Sequence, residues 1–169
     1  MIDASAGCWH SRAKVMKRSA ALLVYRQGPD GIQVFLVHPG GPFWARKDLG
    51  AWSIPKGEFD DSEDGLAAAK REFREEVGQS VDGDFLALAP VKQKGGKIVH
   101  AWAVEGAVDE SAVKSNEFEL EWPPRSGRTA RFPEVDRGQW FAVEEAKRRI
   151  LPAQAPILDE LAAKLGTGK

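Results

Sequence analysis

The chain has 169 residues, a formal net charge of −1 and a single cysteine, Cys8. That length suits one domain with a core of its own, the near-zero charge gives no long-range pull toward nucleic acid or a membrane surface, and one cysteine excludes an internal disulfide and shows no metal-ligand spacing. Apolar residues make up 43% and charged residues 29%, the proportions of a soluble globular protein, and a reducing, cytoplasmic setting is the expectation.

Residues 1–15 have no apolar run long enough for a signal peptide or a membrane span. They are expected to be a flexible N-terminal extension, with Met16 as an alternative start and residues 16–169 as a single domain. Ser19–Tyr25 is an apolar run expected as a strand, Gln27–Gly31 reads as a turn, and Ile32–Val37 as the second strand of a hairpin. The stretch from His38 to Lys47 mixes turn residues with Phe43, Trp44, Arg46 and Lys47 just before an expected strand at Trp52. Trp44 and Lys47 are candidates for stacking a base and touching phosphate; the alternative is a structural loop with its aromatics tucked onto the core, which is favoured for His38.

Further along, Asp84–Leu88 and Ile98–Val104 are expected strands, separated by a lysine-bearing segment from Lys92 to Lys97 that is either a phosphate contact or a solvated hairpin tip. Glu117, Glu119 and Glu121 alternate with Phe118, Leu120 and Trp122, the period of a half-buried strand with its acids on one face. Pro123–Arg128 is a basic loop, Val135–Ala142 another strand and Val143–Ile150 a short helix interrupted by Pro152. In the last helix, around Pro156–Leu165, Ile157, Leu158, Leu161 and Leu165 recur at helical spacing as a core stripe.

The chemistry is concentrated between Gly57 and Gly78, where an acid-rich turn runs into a helix. With Phe73 at zero on a helical wheel, Leu66, Ala69 and Val77 fall within about 40°, while Glu72, Glu76 and Glu75 sit at about −100°, −60° and −160°. Three carboxylates thus occupy one flank beside the buried stripe. Arg71 can pair with Glu75 at i,i+4 spacing, Ser62 or Asp61 can cap the helix start, and Gly78 suits its C-terminal stop. Crowded carboxylates repel unless a cation neutralises them, and oxygen ligands suit Mg²⁺ or Mn²⁺. A solvated acidic helix face is the plain alternative.

Gly57, Glu63, Arg71, Glu72, Phe73, Glu75, Glu76 and Gly78 match the pattern G-x5-E-x7-R-E-U-x-E-E-x-G-U, where U is a bulky apolar residue. The chain therefore resembles the Nudix hydrolases, and Trp52-Ser53-Ile54-Pro55-Lys56-Gly57 resembles the strand and turn that precede the box in many members. The last position of the pattern departs: it is Gln79, not an apolar residue. The resemblance implies an α+β fold, an α/β/α sandwich with a mixed sheet and the box as a loop–helix–loop. It implies Glu72, Glu75, Glu76 and the Lys56 carbonyl as ligands of Mg²⁺ or Mn²⁺, with Arg71 and Glu63 as supporting catalytic residues that orient them. Glu75 or Glu76 is the candidate general base. Many members also take a carboxylate from outside the box, which here would be Glu117, Glu119, Glu121 or Glu134.

The activity so implied is hydrolysis of a nucleoside diphosphate linked to another moiety. The Trp-x-x-Pro-Lys-Gly lead-in resembles the dinucleoside tetraphosphate branch, which favours diadenosine tetraphosphate, with Lys56, Trp44 and Lys47 as substrate contacts. A nucleoside triphosphate pyrophosphohydrolase of the MutT type is the alternative, and a non-catalytic nucleotide-binding module the second. The expected partner is a small nucleotide, with no membrane, no stable nucleic-acid partner, and a monomeric or homodimeric state.

Overall fold

The structure, a computed structural model, describes residues 17–166, so the expected 1–15 extension lies outside the described residues. In chain order the elements are β1 (Arg18–Gly28), β2 (Gly31–Pro39), β3 (Lys56–Phe59), α1 (Gly65–Val77), β4 (Leu86–Ala87), β5 (Val91–Lys92), β6 (Ile98–Glu105), β7 (Glu117–Glu121), β8 (Thr129–Pro133), β9 (Val135–Ala142), α2 (Val143–Arg149) and α3 (Ala155–Lys164). No described helix is long and apolar enough to cross a membrane.

Strand β1 is the spine of the sheet. Ala20, Ala21, Leu22, Leu23 and Val24 are all buried, the continuous apolar run of a strand covered on both faces. One edge pairs in parallel with β6 from Arg18↔Ile98 to Tyr25↔Glu105. The other edge divides: Arg18–Ala21 pairs antiparallel with β3 and Tyr25–Gly28 with β2. The segment 52–55 fills the split. Leu22 N–H donates to the Pro55 carbonyl at 3.1 Å, and Val37 and Ser53 exchange two backbone bonds at 2.9 Å. The strand expected at Trp52 is therefore only a pair of isolated bridges, Val37↔Ser53 and Trp52↔Ile150, and the continuous strand begins at Lys56. Strands β4 and β5 add to β6 and β9 adds to β2, completing a seven-stranded mixed sheet.

Side-chain alternation along β1 sorts the core into two layers. Ala20, Leu22 and Val24 meet Ala68, Ala69, Phe73 and Val77 of α1, together with Phe35 and Trp140. Ala21 and Leu23 point the other way, toward Ile157, Leu158 and Leu161 of α3, Ala146 of α2, and Trp52 and Ile54. The result is an α+β sandwich with helices on both faces of the sheet, as expected. Strands β7 and β8 form a separate two-stranded ribbon. Glu117–Glu121 is a strand with its acids outward, as its alternation predicts; its partner β8, beyond the basic 123–128 loop, is not among the expected strands although Thr129–Phe132 alternates in the same way.

The ends of α1 follow the sequence in one case and not in the other. Gly78 adopts φ 78° and its N–H closes on the Arg74 carbonyl at 2.8 Å, the left-handed stop a glycine tolerates. The cap at the start is Asp64, whose carboxylate accepts from Ala67 N–H at 3.1 Å, not Ser62 or Asp61. Ser62 donates instead to Asp60, and Asp61 pairs with Arg18. Phe73 anchors the middle of the helix, 1% exposed and edge-on to Phe35 at 6.5 Å between ring centres. Replacement of Phe73 by alanine is expected to lower unfolding free energy by about 3–5 kcal/mol, read as a shift of the urea midpoint; a change below about 1 kcal/mol would mean that α1 is not held by this contact.

Candidate active site

Register across β1 and β3 decides what faces α1. Gly57 pairs with Ala20, whose side chain lies in the α1 layer, and Lys56 pairs with Ala21, which faces the opposite layer. The Glu72 carboxylate lies directly against Gly57: a Cβ at that position would stand 2.0 Å from both the carboxyl carbon and Oε1 of Glu72. Only glycine leaves that space open.

Arg71 ties the box acids together. Its Nε and Nη2 donate to the two oxygens of Glu63 at 2.8 and 2.9 Å, and Nη1 donates to Glu72 at 2.6 Å. The expected i,i+4 partner Glu75 is reached more loosely, at 3.4 Å. The paired fork to Glu63 holds that carboxyl below its usual range and raises the guanidinium above its own. Glu72 is nonetheless raised, because its side chain is only 14% exposed and burial outweighs Arg71.

Glu76 accepts from the Lys56 N–H at 3.3 Å, which brings the Lys56 peptide against a box carboxylate. Protein surrounds the Glu76 carboxyl closely, and burial, reinforced by the charges of Glu72 and Glu134, pushes it up to about 8. The Lys56 ammonium moves downward, through burial first and then the neighbouring charge of Lys97, against the pull of Glu76, Glu58 and Glu72. Two cations thus stand beside three acids. Lys97 also bonds Glu58 at 3.0 Å. Its approach to Lys56 was not legible in the sequence, because it depends on β3 and β6 both pairing with the first residues of β1.

A cleft of about 200 Å³ opens at this point, lined by Val37, Trp44, Lys56, Glu76, Glu134 and Leu151 among others. Of the four downstream acids, Glu134 alone is among those lining residues. Its carboxyl is raised by burial of its inner side and by the charges of Glu72 and Glu75. Glu117 and Glu119 pair with Arg131 across the ribbon at 3.0 and 3.2 Å, and Glu121 accepts from Gly127 N–H at 2.9 Å.

Trp44 lines the cleft, whereas Lys47 is exposed with its ammonium 5.0 Å from the centre of the Trp44 ring. His38 is fully buried, its Nε2 2.6 Å from the Lys47 carbonyl and its Nδ1 2.9 Å from Asp136. It holds the loop and does not line the cleft. Gln79, the one departure from the box pattern, pairs like a peptide with Asp109: its amide donates to the carbonyl at 2.9 Å and accepts from the N–H at 3.0 Å.

Among the described residues, no three of His, Cys, Asp or Glu come together as a ready-made metal site. Arg71 stands between Glu72 and Glu75, and Glu76 faces the Lys56 amide. The oxygen-only donor set, with the Glu72 and Glu76 carboxyls both raised by burial despite Arg71 and Lys56 beside them, does fit a hard divalent cation of the kind held by one or two carboxylates and completed by substrate phosphates.

A family model for the Nudix domain matches residues 16–161. Among curated proteins, the RNA pyrophosphohydrolase of Rhodospirillum rubrum is 27% identical over 157 residues, 87% of this chain and 90% of that one. Among solved structures, the Ap4A hydrolase of C. elegans superposes with a TM-score of 0.58 at 22% identity, covering 89% of this chain and 98% of that one. The Nudix domain of Shewanella oneidensis NrtR, complexed with ADP ribose, gives 0.63 at 14% identity over 90% of each chain. Those two likenesses establish the fold alone. With the box intact from Gly57 to Gly78 and the family match running through nearly the whole described chain, this protein belongs to the Nudix family.

Proposed function

We propose that the protein hydrolyses a dinucleoside polyphosphate, diadenosine tetraphosphate being the preferred case, with Mg²⁺ or Mn²⁺ bound by Glu72, Glu75, Glu76 and the Lys56 carbonyl. The observation that carries this is the division of charge in one cleft. Glu76 and Glu134 line the cleft beside Lys56, Glu72 lies close enough to be felt by all three, and Lys97 adds its charge from behind Lys56 while pairing with Glu58. A chain of phosphates answers both halves, one part sharing a cation with the acids and the next meeting the ammonium groups.

When bound, such a cation screens the phosphate charge and lowers the pKa of a coordinated water. The protein's own groups do the rest. Arg71 and Glu63 fix the rotamer of Glu72, as partners of metal ligands do. Lys56, which lines the cleft, draws the phosphate chain across it. Glu75 is tied to Arg71 and Glu76 to a backbone amide, so Glu134 is favoured as the group that accepts the proton of the attacking water. Water adds to phosphorus, the anhydride P–O bond breaks, and ATP and AMP leave with the water proton on the carboxylate. Trp44 supplies an aromatic wall for a base.

The Rhodospirillum rubrum relative makes the 5′-triphosphate end of RNA the second reading, and a free nucleoside triphosphate of the MutT type uses the same cleft. Product analysis by ion-exchange chromatography with Mg²⁺ or Mn²⁺ separates them. ATP plus AMP from diadenosine tetraphosphate is expected. Pyrophosphate from triphosphate-ended RNA or from a free triphosphate, with the dinucleotide left intact, would transfer the assignment; nucleotide binding without metal-dependent product would make the fold a binding module.

Two substitutions test the geometry. Glu76→Gln is expected to lower turnover by about 100-fold or more. In metal-free protein the folded state keeps a proton on Glu76 that the unfolded chain has lost between its ordinary 4.5 and about 8, so stability should fall as pH rises through that window. The glutamine variant should flatten that fall, measured as urea midpoints in chelator; an unchanged slope would remove Glu76 as its source. Gly57→Ala pushes the Glu72 carboxylate off its seat. Because the obstructing atoms end a flexible side chain, stability should change by less than about 1 kcal/mol while turnover falls by about 100-fold. Near-normal turnover in that variant would show that the seat is dispensable.

A further inference from the structure

The residue favoured above as proton acceptor lies outside the box, and something must hold it against the box helix despite like charge. The last carbonyls of a helix have no partner within it. In α1, the Glu75 carbonyl accepts from Asn116 N–H and the Val77 carbonyl from Lys114 N–H, both at 2.9 Å. Asn116 then turns its own carbonyl to Glu134 N–H at 2.8 Å. Next to it, the Ser115 hydroxyl accepts from Val135 N–H at 2.9 Å, and it lies 3.2 Å from the Val135 carbonyl and 2.8 Å from the Asn116 carbonyl as a donor. From the other side, Gly40 N–H donates to the Glu134 carbonyl at 3.0 Å.

We propose that Ser115 and Asn116 form a strap that fixes Glu134 to the C-terminal end of the box helix, with the Ser115 hydroxyl as a positioning residue for the proton-accepting carboxylate. The proposal rests on the reading of Glu134 given above. The strap connects the Glu75 peptide to the Glu134 peptide through two backbone bonds that share the residue Asn116, so movement of the helix end is transmitted to Glu134 and the reverse. Val135, held by Ser115, is buried, which leaves Glu134 one residue from an immobile point. The carboxylates on the two ends of the strap repel, so slack in it would let Glu134 swing outward into solvent. Ser115 supplies the side-chain hydrogen bonds of this connection, and its hydroxyl can be removed without altering the backbone.

The test is a double-mutant cycle measured with the best substrate of the product screen. The kcat and KM of Ser115→Ala, Ser115→Thr, Glu134→Gln and the Ser115→Ala/Glu134→Gln double variant are compared, each well below its own thermal midpoint so that loss of fold does not enter. Ser115→Ala is expected to lower kcat by about tenfold with KM unchanged within about twofold, and Ser115→Thr, which keeps the hydroxyl, to restore kcat to within about threefold of the parent. In the Glu134→Gln background the alanine substitution should alter kcat by less than about twofold, because the group it positions is gone. An unchanged kcat in Ser115→Ala, or an equal loss with and without Glu134, overturns the strap while leaving the reading of Glu134 intact. Parental turnover in Glu134→Gln overturns the reading of Glu134 itself, and the strap's role with it.

Discussion

Arg71 donates to Glu63 and Glu72 within 3 Å and reaches Glu75 beyond, and the site depends on this one guanidinium. Three glutamates on a single flank of α1 would push one another apart and destabilise the helix that bears them. Arg71 holds two of them and leaves the third, Glu76, to a backbone amide and to burial. That leaves the cleft deficient in positive charge on one side only. The helix carries this negative charge while packed against the sheet through Phe73 and Val77.

The helix is useful only because β3 stands where it does. The edge of β1 gives its first residues to β3 and its last to β2, and the 52–55 segment bridges the split. This places Gly57 under Glu72 and puts the Lys56 amide at Glu76. The same strand carries Glu58, which meets Lys97 of the β5–β6 connection at 3.0 Å, and Lys56, which lines the cleft with Glu76.

The opposite wall is built from loops fixed by buried groups. Trp52 is 1% exposed and packs edge-on against both His38 and Phe141, with its indole N–H donating to Asp48 at 2.8 Å. His38 and Asp136 hold the loop that carries Trp44. Gly40 lies so close to the ribbon that a Cβ there would stand 2.0 Å from the Pro133 carbonyl oxygen. The β7–β8 ribbon and the 40–47 loop therefore form one wall, with Glu134 at its base.

The sequence by itself determined the parts of this protein whose geometry is local. The 3.6-residue period put Glu72, Glu75 and Glu76 on one flank and Phe73 on the buried stripe; spacing over 22 residues gave the family and, through it, the fold; and Gly78 stopped the helix because its left-handed conformation needs no distant partner. Tertiary structure alone decided whatever depends on pairing between distant segments. It set Glu134 in the wall of the cleft and left Glu117, Glu119 and Glu121 outside it, acids that look alike in isolation until Arg131 of β8 neutralises two of them. It reduced the Trp52 strand to bridges, brought Lys97 to Lys56, and gave the cap of α1 to Asp64 because Asp61 is drawn to Arg18 and Asp60 to Ser62. Helical spacing is written in neighbouring residues, whereas the register of β1 with its three partners is fixed by the packing of two opposed core layers, and no short stretch of sequence contains that information.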